Sequence, residues 1–201
     1  DVSGHGVSAA LIAMMAKAFF GLSSHPLPGD CLTAINHKLF SVIGDIEYYL
    51  TACLCKIDLN LGRIEYASAG HPPAFLWRNG DRSLHVMDSM VGFPLGMMSD
   101  TLYQTARLDL IPGDRIVLYT DGILNAANSD RELFQLDSLT DYIKNQSGLT
   151  VHQLMHDLVR HLGHFCQGEP PADDQCMMVI DYTGVEKSET QPVLNSEVYA
   201  V

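Results

Sequence analysis

Positive charge is scarce in this sequence. Its 201 residues include 12 lysines and arginines against 24 aspartates and glutamates, which gives a formal net charge of −12. Proteins that bind the phosphate backbone of DNA or RNA need clustered lysines and arginines, so we expect no nucleic-acid partner. Because 47% of the residues are hydrophobic and 18% are charged, the composition is that of one globular domain with a sizeable core and not that of a disordered chain.

The sequence also lacks a long apolar run and a Cys-x-x-Cys pair. Its most apolar stretch, residues 9–22, is interrupted by Lys17 and is shorter than the roughly 20 residues that cross a bilayer, so we expect no membrane span. Cys53 and Cys55, two of five cysteines, would point to the same face of a strand. This cysteine usage fits a reducing cytoplasm best. The abrupt start on a motif at Asp1, without a signal peptide, indicates a fragment of a longer protein.

Apolar residues recur at helical spacing in four segments. The first predicted helix ends near Gly21, and the second covers about residues 30–42 after Pro28-Gly29. We expect the second helix to turn Leu32, Ile35, Leu39 and Phe40 inward. Two more helices are predicted over about 136–144 and 150–164, the last with Thr150 as its N-cap. The apolar stripe of the last helix is formed by Val151, Leu154, Leu158 and Leu162. The side chains of the first helix that we expect to face the core are Leu11, Met14, Met15, Ala18, Phe19 and Leu22.

Strands are predicted where polar and apolar residues alternate or where a short apolar run follows a turn. Alternation covers residues 49–58, and the turn Asn60-Leu61-Gly62 leads into 63–68. The other predicted strands are 74–78, which ends at the hairpin signal Asn79-Gly80, then 104–110, 116–119 and 176–181. We expect mostly antiparallel pairing, and we treat residues 1–183 as one domain followed by a tail at 184–201, which shows no periodicity.

Three acidic motifs lie at the ends of apolar segments. Asp1 opens the sequence Asp-Val-Ser-Gly-His-Gly, Asp121 follows the predicted strand 116–119, and Asp173-Asp174 precedes the strand 176–181. If these two strands are antiparallel neighbours, the end of one lies beside the beginning of the other, and their carboxylates converge on one edge of the sheet. Mg²⁺ and Mn²⁺ prefer oxygen ligands. Two such ions could share a carboxylate and direct a water of lowered pKa at phosphorus.

Five motifs occur in the order and spacing of a known family. They are Asp1-Val2-Ser3-Gly4-His5-Gly6-Val7, Ala69-Gly70-His71-Pro72-Pro73, Gly92-Phe93-Pro94-Leu95-Gly96, Tyr119-Thr120-Asp121-Gly122 and Asp173-Asp174. The chain resembles the bacterial metal-dependent protein phosphatases, in their protein phosphatase 2C-like SpoIIE/RsbU branch, over roughly residues 1–182. Any one motif is weak, but five in order are specific.

The resemblance implies an α+β fold, a four-layer α-β-β-α sandwich of two mostly antiparallel sheets, with Mn²⁺ or Mg²⁺ as a two-ion cofactor. By position, Asp1 is implied as the bridging ligand and the Val2 carbonyl as a backbone ligand. Asp121 and Asp173 are implied as ligands of the other ion, and Asp174 as a further ligand or as a partner of one. Asp1, Asp121 and Asp173 would be the catalytic residues. The family places one more acidic ligand on a strand before the position of Asp1.

Two residues depart from the family pattern. Asn125 stands where family members usually carry Glu, and Cys176 stands where they usually carry Thr. Neither change removes an implied metal ligand, but a change next to a ligand can lower metal affinity or activity by roughly 10- to 100-fold. The sequence therefore leaves an altered activity open.

The same residues also have ordinary structural interpretations. Thr-Asp-Gly is a common turn, and Asp173-Asp174 could be a solvated loop. His5 and His71 could protonate a departing serine oxygen, hold a water, or bond loop backbone. His152 and His156 have the i, i+4 spacing of a zinc pair, but no Glu follows the first as in His-Glu-x-x-His, so a polar helix face is the simpler interpretation.

The function that the resemblance implies is hydrolysis of phosphoserine or phosphothreonine on a small regulatory protein, an anti-sigma-factor antagonist of the STAS type, in a signalling pathway. It also implies an upstream receiver or sensor domain in the parent chain, as in response regulators, and leaves homodimer formation open. The alternative is a non-catalytic adaptor of the same fold, resembling the sigma-factor delivery protein RssB; such adaptors tend to lose the metal carboxylates. A small-molecule phosphohydrolase is a third hypothesis, but the sequence offers no Arg and Lys cluster for a free phosphate ester.

Overall fold

The computed structural model describes residues 1–4, 6–44, 48–88, 91–184 and 199–200. It divides into two compact units, which we call unit 1 (Asp1–Pro73 with Asp88–Leu110) and unit 2 (Ala74–Met87 with Ile111–Val201). In the described part of the chain, every helix is too short or too polar to traverse a lipid bilayer.

Five helices and nine strands are assigned in the described residues. The helices are α1 Val7–Gly21, α2 Pro28–Ile43, α3 Asp121–Leu124, α4 Gln135–Asn145 and α5 Val151–Cys166. The strands are β1 Ala52–Asp58, β2 Arg63–Ala69, β3 Ala74–Arg78, β4 Ser83–Met87, β5 Val91–Gly92, β6 Ala106–Asp109, β7 Asp114–Tyr119, β8 Met177–Tyr182 and β9 Tyr199–Ala200. The four predicted helices and six predicted strands are confirmed to within a few residues at their ends. The hairpin signal Asn79-Gly80 precedes β4, for which no range was predicted, and the patterns did not indicate α3, β5 or β9.

Unit 1 is a four-stranded sheet with α1 and α2. Strand β2 pairs antiparallel with β1 on one side, and with β6 antiparallel and β5 parallel on the other. Helix α2 begins at Pro28, whose fixed φ suits the first turn, and it buries Leu32, Ile35 and Leu39 as predicted. These side chains form the core of unit 1 with residues of α1 and of the sheet.

The predicted inward face of α1 is wrong for most of its residues, although Phe19 packs against the core of unit 1 and is partly buried. Leu11, Met14 and Leu22 are 60%, 66% and 76% exposed, whereas the buried residues of the helix are Ala9, Ile12 and Ala16. The helix is apolar on almost all sides, so the spacing of apolar residues does not select one face. Small side chains on the inner face allow the backbone of α1 to approach the rest of the unit closely.

Unit 2 is a five-stranded antiparallel sheet with the strand order β4-β3-β7-β8-β9. Helices α4 and α5 cover it with a core that includes Phe134, Leu139 and Leu154. The stripe predicted for α5 is confirmed, because Leu154, Leu158 and Leu162 are buried. The helix begins with a capping box in which Thr150 Oγ1 accepts from Gln153 N and the Gln153 side chain accepts from Thr150 N, which satisfies two amides of the first turn.

The buried carboxylate of Asp114 joins three parts of unit 2. Its Oδ2 atom accepts hydrogen bonds from Arg78 Nη1 at 2.7 Å and from the Ile111 amide at 3.0 Å. Its Oδ1 atom accepts from the Asn79 amide at 3.2 Å. The side chain of Asp114 is fully buried, and that of Arg78 is 21% exposed. The carboxylate therefore fixes both the turn after β3 and the turn before β7.

We expect Asp114→Ala to lower the free energy of unfolding by about 3–5 kcal/mol, because it removes a buried acceptor that the Arg78 guanidinium and two backbone amides share. The matched control is Asp109→Ala, which removes an ion pair to Arg63 from a side chain that is 82% exposed and should leave the unfolding midpoint nearly unchanged. Urea unfolding followed by circular dichroism measures both. Equal midpoints for the two variants would contradict the role given to Asp114.

Candidate metal-binding and catalytic site

Strands β7 and β8, which lie next to the two acidic motifs of unit 2, are antiparallel neighbours. This is the arrangement on which the predicted convergence of their carboxylates depends. Strands β7 and β8 pair in a register that sets Tyr119 opposite Met177. Asp121 follows the end of β7, and Asp173-Asp174 precedes the start of β8. Because antiparallel strands run in opposite directions, these two motifs lie at the same edge of the sheet.

Thr120 extends this pairing beyond the strands. Its amide donates to Cys176 O at 2.9 Å, its hydroxyl donates to Asp174 O at 2.9 Å, and the same hydroxyl oxygen accepts from the Cys176 amide at 2.9 Å. One side chain thus fixes the backbone on both sides of Gln175 to the end of β7. The threonine of the Thr-Asp-Gly motif holds the acidic loop in place.

Gly122 packs directly against the acidic loop. A Cβ atom at position 122 would overlap Asp174 O and would lie 2.9 Å from Asp174 C and 3.3 Å from Asp173 C, distances at which backbone atoms leave no room for a methyl group. The Gln175 side chain strengthens the contact by donating to Gly122 O at 3.2 Å. The glycine of this motif therefore permits a close backbone approach, which brings the residue after Asp121 against Asp173 and Asp174.

The carboxylates at this edge are at least partly exposed to solvent, and those of Asp121 and Asp173 accept hydrogen bonds from residues close to them in the sequence. Asp121 is half-buried, and Asp173 and Asp174 are exposed. Asn125 Nδ2 donates to Asp121 Oδ2 at 3.3 Å, and the Asp174 amide donates to Asp173 Oδ1 at 2.8 Å. The amide of Asn125 orients Asp121 without adding the like charge that a glutamate would bring. The first departure from the family pattern thus gives Asp121 a neutral hydrogen-bond donor.

In unit 1, the opening motif pairs with residues 49–51, the segment that leads into β1. The Asp1 nitrogen donates to Thr51 O at 3.0 Å, and the Thr51 amide donates to Asp1 O at 2.7 Å. Val2 forms a β-bridge with Leu50. Ser3 completes the pairing, because its amide donates to Tyr49 O and its hydroxyl accepts from the Tyr49 amide, both at 2.9 Å. Asp1 and Val2 therefore belong to an extended segment with a fixed backbone.

The two glycine-containing motifs of unit 1 meet beside this segment. A Cβ at Gly70, whose φ is +67°, would lie 2.6 Å from Pro94 Cγ, and Leu95 exchanges two backbone hydrogen bonds with Leu50 at 2.8 and 3.0 Å. Thr51 Oγ1 is 2.9 Å from His71 Nδ1. Thr51 therefore links the backbone of Asp1 to the imidazole of His71 and holds that ring in place.

Three residues that hold these segments were missed from the sequence. Thr51 and Gln175 act through bonds across the fold, so no local pattern marks them. Asn36 is fully buried on α2, and its side chain accepts from the Gly96 amide and donates to Met98 O, both at 2.8 Å. A polar residue on the apolar face of a predicted helix was the one available signal for it.

The other predicted residues stand apart from these contacts. His5 lies outside the described residues. His152 and His156 are exposed on α5. Throughout the described ranges, no three histidine, cysteine, aspartate or glutamate side chains form a group that could hold a metal ion. The ligand assignments for Asp1, Val2, Asp121, Asp173 and Asp174 accordingly rest on the sequence motifs and on the backbone contacts of each unit, and they stay predictions.

Comparisons with known proteins agree with the motifs. The family model of stage II sporulation protein E (SpoIIE) matches residues 1–183. The phosphoserine phosphatase RsbP of Bacillus subtilis is 31% identical over 187 residues, which cover 90% of this chain and 44% of that protein. This chain thus spans less than half the length of that curated relative.

Solved structures give the same fold. The PP2C domain of SiaA from Pseudomonas aeruginosa superposes with a TM-score of 0.80 at 20% identity, covering 90% of this chain and 73% of that one. The RsbU and RsbW domains of Rv1364c from Mycobacterium tuberculosis give a TM-score of 0.69 at 25% identity, covering 90% of this chain and 49% of that one. The predicted PP2C-like α+β fold with mostly antiparallel sheets is confirmed.

We expect Gly122→Ala to lower the free energy of unfolding by about 1–3 kcal/mol, because the added methyl group must push the backbone of Asp173 and Asp174 away from α3. Gly163→Ala is the matched control: a Cβ there meets no atom within 4 Å, and alanine in the interior of α5 should be neutral or stabilising. Urea unfolding of both variants measures the difference. A Gly122→Ala protein as stable as the Gly163→Ala protein would show that the close approach is not a constraint.

Proposed function

Because this chain belongs to the SpoIIE family of PP2C-type serine phosphatases, we propose that it is the catalytic part of a metal-dependent protein serine/threonine phosphatase. The observation that carries the proposal is the packing of Gly122 against the backbone of Asp173 and Asp174. This contact supports a shared role for two acidic motifs that are about 50 residues apart in the chain.

The proposed metal ligands are oxygen atoms only. They are the carboxylates of Asp1, Asp121, Asp173 and Asp174 and the carbonyl of Val2. A donor set without sulfur or nitrogen fits hard divalent cations such as Mn²⁺ and Mg²⁺, and PP2C-type phosphatases use metal ions. We propose two ions, as in the two-metal hydrolases. When bound, they would supply a water of lowered pKa and neutralise charge on the phosphate oxygens.

The protein's own contribution is to hold these ligands before the substrate arrives. Thr120 and Gly122 fix the acidic loop, Asn125 orients Asp121, and Thr51 fixes the backbone of Asp1. Ligands on fixed backbones lose little conformational freedom on binding a cation, which favours a site with a defined geometry. No side chain is needed as a covalent nucleophile. The His71 ring, held by Thr51, is a candidate for donating a proton to the departing serine oxygen.

The proposed substrate is phosphoserine or phosphothreonine on a small regulatory protein of the STAS type. The relative RsbP is named a phosphoserine phosphatase, and the solved Rv1364c chain joins an RsbU domain to an RsbW domain, which supports a phosphoprotein substrate in a partner-switching pathway. The net charge of −12 disfavours capture of small, highly charged phosphate esters. In the parent protein we propose an upstream receiver or sensor domain and a cytoplasmic location.

The test is release of phosphate from a phosphoserine protein by this chain extended upstream of Asp1, so that the strand that the family places there is present. We expect turnover that requires Mn²⁺ or Mg²⁺ and stops on addition of a chelator. Asp121→Asn should lower the rate by at least about 100-fold, because loss of a ligand costs at least as much as the loss of a residue that merely orients one. The readout is phosphate release at saturating Mn²⁺.

Asp137→Asn is the matched control, because Asp137 is an exposed carboxylate in the first turn of α4 and should leave the rate unchanged. Circular dichroism establishes that both variants are folded. Turnover that resists the chelator, or that is equal in Asp121→Asn and Asp137→Asn, would overturn the metal-dependent mechanism. No turnover in the wild type, together with binding of an unphosphorylated partner, would favour the adaptor.

A further inference from the structure

Two thiols lie close together on β1, away from the acidic motifs. Cys53 Sγ and Cys55 Sγ are 3.9 Å apart, and both residues are half-buried free cysteines. Ala52 and Leu54, which alternate with them, pack against the hydrophobic core of unit 1. Because side chains alternate along a strand, the two sulfur atoms project from the opposite face of the sheet.

The strand geometry disfavours a direct bond between these sulfur atoms. Residues i and i+2 of a strand are about 6.6–6.8 Å apart, and their Cβ atoms point the same way. A disulfide needs Cβ atoms about 3.5–4.5 Å apart, so oxidation would require β1 to buckle while seven residue pairs hold it to β2. A third atom that bridges the two sulfur atoms avoids this distortion.

The separation of the sulfur atoms suits a tetrahedral metal ion. Two thiolates that each lie about 2.3 Å from a tetrahedral Zn²⁺ are about 3.8 Å from one another, close to the 3.9 Å between Cys53 Sγ and Cys55 Sγ. Thiolate ligands select soft cations over Mg²⁺ and Mn²⁺. We propose that Cys53 and Cys55 form a two-thiolate site for a thiophilic divalent cation of the Zn²⁺ or Cd²⁺ type, distinct from the oxygen-ligand site.

The two thiols influence each other's pKa. The hydrogen bond from Cys55 lowers the pKa of Cys53, whereas that bond, burial and the negative charge of Cys53 raise the pKa of Cys55. The two pKa values therefore move in opposite directions because the thiols share one hydrogen bond. A bound cation stabilises both thiolates and displaces their protons. The cross-strand neighbours on β2 are Ser68 and Tyr66, which bring no charge that would compete.

Within the described residues no third histidine, cysteine, aspartate or glutamate completes a metal-binding group. In the proposed site, water or a thiol from another molecule fills the remaining coordination positions. A site with two protein ligands exchanges its cation more readily than a closed four-ligand site, which stabilises a fold permanently. The pair is accordingly an exchangeable site for a soft cation and not a structural zinc centre.

The test uses Cd²⁺ as the probe, because cadmium bound to thiolate sulfur absorbs ultraviolet light by charge transfer and cadmium bound to oxygen does not. Excess Mg²⁺ occupies the oxygen ligands during the titration. We expect about one sulfur-bound Cd²⁺ per chain in the wild type and at least about 10-fold weaker binding in Cys53→Ser and Cys55→Ser. Cys176→Ser, which removes an exposed single thiol, should titrate like the wild type.

A second measurement needs only the wild-type protein. Bound Zn²⁺ should protect two thiols per chain from an aromatic disulfide reagent, and a chelator should expose them again. Unchanged sulfur-to-cadmium absorption in both Cys53→Ser and Cys55→Ser would overturn the site. Failure of Zn²⁺ to protect any thiol in the wild type would also overturn it, even if the serine variants do not fold.

Discussion

The arrangement of the acidic edge depends on the close backbone approach at Gly122. Strand pairing alone brings the end of β7 beside the start of β8, but pairing ends at Thr120 and Cys176. Beyond that point the contact of Gly122 with Asp173 and Asp174 and the two hydrogen bonds of the Thr120 hydroxyl continue the association. The three residues of the Thr-Asp-Gly motif thus have separate roles. Thr120 supplies the hydroxyl that fixes the loop, Asp121 supplies a carboxylate, and Gly122 leaves space for the neighbouring backbone.

Much of the fold could be predicted because local and tertiary preferences agree. The period-two pattern of β1 and the helical stripe of α5 are strong, and both elements are confirmed. The prediction failed where the spacing of apolar residues did not select one face of a helix. Helix α1 is apolar on most sides, and its fully buried residues are Ala9, Ile12 and Ala16, none of which was among the residues predicted to face the core. Two-residue strands such as β5 are too short to produce a period at all.

Only part of the candidate site could be predicted from the sequence. Carboxylates at strand ends follow from the sequence, since the strands themselves are visible in it. The roles of Thr51, Gln175 and Asn36 were not visible, because each acts through hydrogen bonds to residues that are 50, 53 and 62 positions away in the chain. Such bonds depend on the tertiary pairing, so they become apparent only once strand register is known.

The small buried face of α1 has a consequence for motion. Helix α5 has five fully buried residues, four of them large, whereas the fully buried residues of α1 are two alanines and one isoleucine. Less apolar surface removed from water means a lower free energy for local opening. The amide hydrogens of α1 should therefore exchange with solvent through local opening that leaves α5 intact, and the segment that begins with Asp1 leads into this less firmly held helix.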